Sequence, residues 1–435
     1  MSKKIEHEVI RLNEDRDLDR LAHLEHATWF SPTEGGSPAD AVGPLDFDST
    51  GAVEMPARAK FGQTSQTTPL GGVYGAFDMT VTVPTADGVA PIPMSGLTWV
   101  AVHPDMRRRG VLRALMSDHL NRVHDQGRYA VAGLHASDPG IYGRFGYEVA
   151  SYDVLYNLSH GATLQAPQAI SDAAGALETT LLPSDGPGVL DAIHEAHQRA
   201  GGVSLGAAVR SAGLTKGDYR DFPKARGSKE KVQVVFALQD GQPVGYASFR
   251  RNSEWSDVGV ASGSVTMREI FAESEAALLA LARRLTTLDL TTSIKVWGRR
   301  MDDPLMWWAG GPRNVGVRMG DSLWLRLVDL PKALAQRGYA APVDVVLGIA
   351  DEYCPWNSGR WRLTINEAGQ AHCSRTQDNA DLELPVQALA AAYLGGRSLV
   401  SQAPIHGIVE HTDGALTRLS RAMRSDIEPI GSIGF

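Results

Sequence analysis

Cysteine is nearly absent from the 435-residue sequence, which contains Cys354 and Cys373 and no other. Two thiols cannot form a disulfide framework, and without a CxxC pair they do not suggest a zinc site. We therefore expect both to be small apolar core residues in a reducing compartment, and we expect no metal cofactor.

Long hydrophobic runs are also absent. Stretches such as residues 388–394 are far shorter than the ~20 residues that span a bilayer. The first twenty residues, MSKKIEHEVIRLNEDRDLDR, are too polar for a signal peptide. The sequence therefore predicts a cytoplasmic protein with no membrane partner.

The sequence has no excess of basic residues. It contains 42 Lys and Arg against 50 Asp and Glu, a net charge of −8. Nucleic acid is not an expected partner, because phosphate neutralisation needs clustered Lys and Arg, whereas a cationic substrate suits an acidic chain. The 43% hydrophobic and 21% charged content is that of a globular protein, which excludes a mostly disordered, collagenous or coiled-coil chain. At about 150 residues per domain, the length indicates roughly three domains.

Hydrophobic periodicity divides the chain into three blocks. In the first, a helix and a Gly/Ser/Thr/Pro-rich loop region precede strands and a second helix; these are residues 17–28, 31–69, 72–84, 92–102, 110–126, 129–135 and 147–158. Gly127 is the expected C-cap of the second helix. The second block, from about residue 181, repeats the order β, β, β, helix, β at residues 232–238, 244–250, 263–270, 272–288 and 293–297. The third block, from about residue 320, has strands at 322–327, 343–350 and 361–366 and helices at 331–337, 387–394 and 414–423.

Several familiar motifs fail on their context. Residues 202–206 match GxSxG, but a helix precedes them where a nucleophile elbow needs a strand, so Ser204 is interpreted as a loop serine. Residues 194–197 read HEAH, one residue short of the HExxH zinc motif. We expect this histidine pair, and the pair His23 and His26, to lie on the surface. GxxxxGK[ST] and GxGxxG do not occur, so ordinary ATP and dinucleotide sites lack support.

The stretch that indicates chemistry is a strand, a proline break, the basic turn Arg107-Arg108-Arg109-Gly110, and a helix start. Unpaired amides at a helix N-terminus, together with the helix dipole, attract a phosphate or pyrophosphate. Gly110 would let the backbone approach such a ligand, and Arg108 and Arg109 would add charge-assisted hydrogen bonds. The sequence therefore predicts a phosphate-binding turn here.

This turn resembles motif A of the GNAT acetyltransferases, R/Q-x-x-G-x-G/A, with Leu112 in place of the last small residue. Further runs resemble the Eis-type acetyltransferases of that superfamily over nearly the whole chain: LHASD at 134–138, GIYGRFGY at 140–147, LWLR at 323–326, QRGY at 336–339 and IGF at 433–435. The IYGRFGY run is the most specific of these.

The resemblance implies an α+β chain with tandem GNAT-like domains, each a mixed sheet with flanking helices, followed by a sterol-carrier-like α+β domain. The expected ranges are 1–157 for the acetyltransferase domain, 158–308 for the second GNAT-like domain and 309–435 for the last. Family members acetylate amines, notably aminoglycosides at more than one position, and form hexamers, so a homohexamer is expected. By motif, the residues implied to contact acetyl-CoA are Val100, Ala101, Val102, Arg108, Arg109, Gly110, Val111, Leu112, Arg113, Ser137 and Asp138.

The resemblance also assigns the proton transfers. It implies Tyr142 as the proton donor and the carboxylate of Phe435 as the proton acceptor. The residues themselves leave alternatives open: His135 is a competing base, and a terminal carboxylate with a pKa of ~3.5 could instead orient the cationic amine. A strand splayed after Trp99 could offer a free backbone N–H, such as that of Val102, to stabilise the oxyanion. The family often has an acidic or aromatic residue before its last Phe, where this chain has Gly434, so a more flexible tail is expected.

The second block lacks the glycine of the basic turn. Its matching junction, Glu269-Ile270-Phe271-Ala272-Glu273-Ser274, carries two carboxylates that would repel a pyrophosphate, so one acetyl-CoA site per chain is expected. Candidate carboxylates for a cationic acceptor, in the loop region 31–69, are Glu34, Asp46, Asp48 and Glu54. Alternative functions are a protein-lysine or polyamine acetyltransferase and, in another class, a lipid or sterol carrier.

Overall fold

The computed structural model describes residues 7–29, 47–57, 60, 63–64, 68–220, 226, 229–431 and 433–435. Within these residues the strands form three sheets. The first sheet contains β1 Ser49–Glu54, β2 Leu70–Thr85, β3 Gly88–Val102, β4 Val131–His135, β5 Glu148–Val149, β8 Ala208–Val209 and β14 Leu323–Leu327. Its strands are ordered β1-β2-β3-β4-β14-β5, and β8 pairs with β2. The second sheet contains β6 Tyr152–Ser159, β7 Glu178–Pro183, β9 Gln233–Gln239, β10 Gln242–Asn252, β11 Gly263–Ala272, β12 Thr291–Arg299 and β13 Arg318–Asp321. Its strands are ordered β13-β6-β12-β11-β10-β9-β7. The third sheet contains β15 Val343–Ala350, β16 Gly359–Ile365, β17 Ala371–Arg375, β18 Leu382–Pro385 and β19 Val409–Glu410. Its strands are ordered β17-β16-β15-β18-β19.

Helices flank all three sheets. In chain order the α-helices of the described residues are α1 Glu14–Trp29, α2 Val111–Gln126, α3 Pro139–Tyr142, α4 Gln168–Gly175, α5 Val189–Gly202, α6 Ala212–Asp218, α7 Glu275–Thr286, α8 Pro304–Trp308, α9 Pro312–Val315, α10 Leu330–Gln336, α11 Val386–Ala392, α12 Leu399–His406 and α13 Ala415–Met423. Short 3₁₀ turns lie at Pro104–Met106, Gly143–Phe145 and Pro355–Asn357. No helix of the described residues has the length and apolar character to cross a bilayer.

The first two sheets confirm the expected GNAT-like order of strands around one central helix. In the first, the antiparallel pair β2–β3 leads to α2 and then to β4, which pairs in parallel with β3. Helix α2 begins after Gly110, whose φ is 91°, and ends at Gly127, whose φ is 62°. The predicted C-cap is therefore confirmed, because both left-handed positions suit glycine. In the second, β10, β11, α7 and β12 repeat this order.

The sheets exchange strands, which the sequence analysis did not anticipate. The single strand expected at 147–158 is wrong: it divides at Ala150–Ser151 into β5 of the first sheet and β6 of the second. Strand β14, expected in the third block, lies between β4 and β5 and pairs antiparallel with both. The numerical boundaries at residues 157 and 308 stay predictions, but sheet membership changes several times across these junctions.

A buried ion pair joins the first sheet to the segment that follows β15 of the third sheet. Arg326 of β14 donates from Nη2 to Asp351 Oδ1 at 2.5 Å, and both side chains are almost fully buried. Gly146 leaves room for this guanidinium, since a Cβ there would lie 2.6 Å from Arg326 Cζ, and its φ of 87° also favours glycine. The second glycine of the IYGRFGY run, Gly146, therefore makes room for a contact between the first and third sheets.

Arg337 holds the helices of the third domain together from inside. It is 2% exposed and donates to the carbonyl oxygens of Ala392, Tyr393 and Met423 at 3.2, 2.5 and 2.7 Å. Since carbonyls at a helix C-terminus lack intrahelical donors, one guanidinium satisfies the ends of α11 and α13 together. The QRGY run thus has a structural role.

Two further expectations are settled here. Cys354 and Cys373 are both free and buried, as expected of core residues, and burial raises the pKa of each thiol to about 12. The prediction of a loop region at residues 31–69 is wrong in part, because β1 lies within this range and pairs antiparallel with β2. Residues 30–46 are outside the described residues, and Glu34 and Asp46 with them.

Candidate active site

A gap opens between β3 and β4 in the middle of the first sheet. Their parallel pairing runs from Met94 and Val131 to Gly96 and Gly133 and goes no further, although β3 continues to Val102. The register of β2 against β3 shifts in the same region, and Trp99 has a φ of 52°. The splayed strand expected from the sequence is therefore present.

The C-terminal end of β3 directs an unpaired backbone N–H toward this gap. The N–H of His103 donates to Gly71 O on β2 at 3.0 Å. Because hydrogen-bonding direction alternates along a strand, the N–H of Val102 points to the opposite side, where β4 has separated. This geometry suits an oxyanion donor at Val102.

The basic turn follows directly. Arg107, Arg108, Arg109 and Gly110 are all exposed, and the φ of Arg108 is 61°, in the left-handed region that a non-glycine residue seldom adopts. His7 Nε2 lies 2.8 Å from Arg109 O. The turn presents its guanidinium groups to solvent at the open end of the gap.

Helix α2 begins with amides that have no helical acceptor. The first intrahelical bond runs from Ala114 N to Gly110 O, so the N–H groups of Val111, Leu112 and Arg113 have no carbonyl within the helix. The Gly110 N-cap has no side-chain hydrogen bond to them. Free amides, the positive end of the helix dipole and neighbouring arginines together fit a pyrophosphate.

Tyr142 lies on the segment that follows β4. Its one-turn helix, α3, is capped by Asp138, whose Oδ1 accepts a 3.0 Å hydrogen bond from Gly140 N. The tyrosine ring is 6% exposed and meets the ring of Tyr147 edge-on at 6.2 Å. Burial, followed by the charge of Asp138, raises the pKa of Tyr142 to about 12, so the phenol keeps its proton at neutral pH. Ser137 is exposed beside the cap.

Phe435, the last residue of the sequence, lies against the middle of β3. Thr98 Oγ1 donates a 3.0 Å hydrogen bond to Phe435 O. A Cβ at Gly96 would lie 3.1 Å from the ring of Phe435, so the missing side chain makes room for that ring. The backbone oxygen of Phe435 is therefore held two residues beyond Gly96, where the pairing of β3 with β4 ends.

His135 ends β4 beside the same ring. The two rings meet edge-on with centroids 5.0 Å apart. Burial lowers the pKa of His135 to about 4, although the Ile433 backbone and Asp321 oppose the shift. The imidazole is therefore neutral at pH 7, and its Nε2 has no hydrogen-bond partner among the described residues.

An aromatic wall that the sequence analysis missed stands next to the gap. Phe47 lies 4.8 Å from Phe77 and 5.3 Å from Trp99 between ring centroids. A Cβ at Gly75 would lie 2.5 Å from the Phe47 ring, so the ring packs against β2 at a position that has no side chain. Aromatic faces attract cations. Isolated aromatics on two strands and a loop share no sequence spacing that would have revealed this wall.

The two described acidic candidates of the loop region differ in their surroundings. Asp48 is exposed, next to Phe47 of the aromatic wall, and its charge contributes to raising the pKa of Tyr129. Glu54 pairs with Arg20 at 3.0 Å. Of the two, Asp48 is the carboxylate beside the site.

The carboxylates of the second domain do not act as the sequence analysis supposed. Glu269 points into the core, where its Oε1 lies 2.7 Å from Arg210 Nη2 and also accepts from the Tyr219 hydroxyl. Arg210 holds the pKa of Glu269 low, at about 2, against the effect of burial. Glu273 pairs with Arg199 at 2.7 Å. The expected repulsion of a pyrophosphate by Glu269 is therefore wrong in its geometry.

The serine and the histidines of the rejected motifs lie in different surroundings. Ser204 follows α5 in a turn and donates to Ala200 O at 2.7 Å, so its interpretation as a loop serine holds. His23 and His26 are exposed as expected. His197 is not: it is fully buried, and its Nδ1 lies 3.0 Å from the Tyr246 hydroxyl. Helical periodicity placed its side chain against the sheet.

Comparison with known proteins agrees with this architecture. Residues 65–150 and 206–327 each match a model described as an acetyltransferase (GNAT) domain, and residues 330–432 match a sterol carrier protein domain. An uncharacterised N-acetyltransferase of Streptomyces avermitilis is 38% identical over 365 residues, covering 84% of this chain and 86% of that protein. N-acetyltransferase Eis of Mycobacterium tuberculosis is 33% identical over 359 residues, covering 80% and 82%.

Solved structures give the same result. Eis1 of Mycobacterium abscessus superposes with a TM-score of 0.78 at 25% identity and covers 98% of this chain and 100% of its own. A GCN5-related N-acetyltransferase of Anabaena variabilis, 17% identical, shares the fold with a TM-score of 0.76 over 99% of this chain. Two GNAT domains, a sterol-carrier domain and these relatives together establish that the chain belongs to the Eis-type N-acetyltransferases of the GNAT superfamily and is an acyltransferase.

Proposed function

We propose that the chain transfers an acetyl group from acetyl-CoA to amines of a polycationic small molecule, an aminoglycoside at more than one position. GNAT acetyltransferases use acetyl-CoA as donor. The observation that carries the proposal is the carboxyl group of Phe435, which Thr98 holds at the opening between β3 and β4. An aromatic wall with Asp48 beside it suits a cationic acceptor.

The donor is held by the gap and the turn. The N–H groups of Val111, Leu112 and Arg113 and the side chains of Arg108 and Arg109 bind the pyrophosphate. The edge of β3 from Val100 to Val102, which β4 leaves unpaired, aligns the pantetheine, and Ser137 and Asp138 border it from the other side. No metal is required for this binding, because the turn supplies the positive charge.

Transfer then proceeds directly from thioester to amine. The carboxylate of Phe435 takes the proton that the ammonium must lose, the amine attacks the thioester carbon, and the Val102 N–H stabilises the oxyanion. Tyr142 gives its proton to the departing thiolate. With the pKa of Tyr142 at about 12 and a thiol near 8.5, this proton moves uphill, so position rather than acid strength has to support the step.

The acceptor class is tested by release of free thiol from acetyl-CoA in the presence of aminoglycosides, polyamines and lysine peptides. Turnover of several aminoglycosides, with mass spectra showing more than one added acetyl group, supports the proposal. Turnover confined to polyamines or peptides contradicts it and assigns the chain to those acceptors. If a fatty acid raises the melting temperature and acetyl-CoA does not, the chain is instead a lipid carrier.

A further inference from the structure

The C-terminal tail, of which residues 428–431 and 433–435 are described, crosses the second domain before it reaches β3. Glu428 N donates to Asp302 Oδ2 at 3.1 Å, and Ile430 N donates to Leu205 O at 2.8 Å. Ile430 and Ile433 are 6% and 4% exposed. Asp302 follows β12 of the second sheet, and Leu205 lies between α5 and β8, within the range expected for the second GNAT-like domain. The tail therefore contacts this domain before Phe435 reaches Thr98.

Glycines line the path of the tail on two domains. A Cβ at Gly206 would lie 2.8 Å from Pro429 Cβ, and one at Gly396 would lie 2.5 Å from Pro429 Cδ. A Cβ atom essentially never lies within 3.0 Å of a non-bonded heavy atom, so a residue larger than glycine does not fit on either side of the proline unless a neighbour shifts. Farther along, a Cβ at Gly431 would lie 3.0 Å from backbone atoms of Gly298. The contact therefore depends on missing side chains at each crossing.

In the second domain, side chains occupy the gap that corresponds to the proposed acetyl-CoA site of the first domain. Strand β11 separates from β12 after the pair Thr266 and Lys295. Beyond it, Trp297 Nε1 donates to Met267 O at 2.7 Å and Arg299 Nη1 donates to Ile270 O at 3.2 Å. The edge that β3 leaves free in the first domain is thus occupied here by side chains of the neighbouring strand.

The tail also passes the strand-to-helix junction of that domain. A cavity of about 150 Å³ there is lined by Glu273, Ser274, Arg299 and Ile430 among others. In the first domain the matching place is the basic turn. A residue of the tail therefore borders the region that would otherwise receive a cofactor.

We propose that the second GNAT-like domain, together with Gly396 of the third, positions the carboxylate of Phe435 for catalysis. Gly206, Gly298 and Gly396 are positioning residues that fix the path of Pro429 and Gly431. The inference rests on the proposed function, since it assumes that the carboxylate acts on the amine. It gives the second domain a role in the reaction that does not require a second cofactor.

Gly396→Ala is the direct test, because no positive φ strains alanine there while the added Cβ meets Pro429 Cδ. We expect kcat to fall tenfold or more, with the affinity for acetyl-CoA within twofold of the parent. The matched control is Gly202→Ala, where a Cβ meets no atom within 4 Å, and its kcat should be unchanged. An unchanged kcat in Gly396→Ala overturns the proposal.

Pro429→Ala removes the colliding Cδ and supplies a rescue. The double variant Gly396→Ala, Pro429→Ala should recover most of the lost kcat, which a general loss of stability would not allow. If the double variant is no better than Gly396→Ala, the steric explanation is wrong. Should Gly396→Ala not fold, Asp302→Ala and Asp302→Asn replace it: the alanine removes the acceptor of the Glu428 N–H and lowers kcat, whereas the asparagine keeps an acceptor and preserves kcat.

A chain ending in Phe435 carboxamide separates this inference from the proposed function. Full activity of the carboxamide means that the carboxylate is not catalytic, and the proposed chemistry fails together with its positioning. An inactive carboxamide with a fully active Gly396→Ala variant overturns the positioning by glycines alone. Loss of activity in both supports the two proposals.

Discussion

The hydroxyl of Thr98 donates a hydrogen bond of 3.0 Å to Phe435 O across 337 residues of sequence. It joins the strand that opens the gap to the residue whose carboxyl group we propose as the base. A single short side chain therefore links β3 directly to Phe435.

Thr98→Val keeps the shape of the side chain and removes the donor. We expect kcat to fall about tenfold while the Kd of acetyl-CoA stays within twofold, because a hydrogen bond to a charged group contributes about 1.5–3 kcal/mol. Thr98→Ser retains a hydroxyl and serves as the control, with kcat near that of the parent. Steady-state kinetics and calorimetry measure the two quantities; equal kcat in both variants would show that the contact is not needed.

Arg108→Ala with Arg109→Ala should weaken acetyl-CoA binding at least tenfold. Each charge-assisted bond contributes about 1.5–3 kcal/mol, and solvent screening at this exposed turn reduces that value. Calorimetric titration with acetyl-CoA gives the Kd. The control is the exposed pair Arg313→Ala and Arg318→Ala, which removes the same charge elsewhere; a similar loss in both would indicate a general charge effect.

Tyr142→Phe removes one hydroxyl from a buried ring. We expect kcat to fall about 100-fold, the size of a typical general-acid contribution, with acetyl-CoA affinity nearly intact. Tyr152→Phe is a suitable comparison, since that tyrosine lies on β6 of the other sheet. Near-normal turnover of Tyr142→Phe would transfer the role to water or to another donor.

Two residues added after Phe435 should abolish most activity. The added peptide bond replaces the carboxylate without altering any side chain, whereas the same residues added before Met1 should have no effect. The melting temperature should stay within a few degrees. An extended chain with full activity would leave His135, or a water relay, as the preferred base.

Mild acid should destabilise the fold through buried histidines. Burial lowers the pKa of His119 and His197 to about 3 and that of His135 to about 4, from 6.5. The unfolded chain therefore binds more protons, so stability is complete above pH 6.5 and is lost as pH falls toward 4. Each histidine contributes a slope of roughly 1.4 kcal/mol per pH unit in that range.

Urea unfolding at pH 7 and pH 5 measures this loss. His119→Gln should reduce the difference between the two pH values, because glutamine takes up no proton. His23→Gln, at an exposed position, should leave the difference unchanged. An equal pH dependence in the parent and in His119→Gln would refute the assignment.

The parts of the site that sequence predicted are local. The basic turn, the splayed strand and α2 each follow from a few consecutive residues, since turn glycines and helix periodicity act over short distances. Thr98 and the glycines along the tail escaped prediction, because a hydroxyl or a missing side chain has no meaning until its distant partner is known. Glu269 shows the same limit: its charge was evident, but its direction was set by Arg210, 59 residues away.

Strand assignment failed for a related reason. The alternating pattern of 147–158 correctly indicated extended chain, yet nothing in it marks the place at which the chain leaves one sheet for another. Pairing partners depend on strands far away in sequence. The pattern of 322–327 likewise predicted a strand but not that its partners are β4 and β5.

The position of β14 has a consequence for synthesis on the ribosome. Until residue 327 has emerged, β4 lacks its antiparallel neighbour, and a sheet edge with unpaired amides invites pairing with other chains. The acetyltransferase sheet is therefore completed only after the second domain has been made. Truncation before residue 323 should yield an aggregating fragment rather than a free-standing catalytic domain, although every residue of the basic turn and Tyr142 would be present.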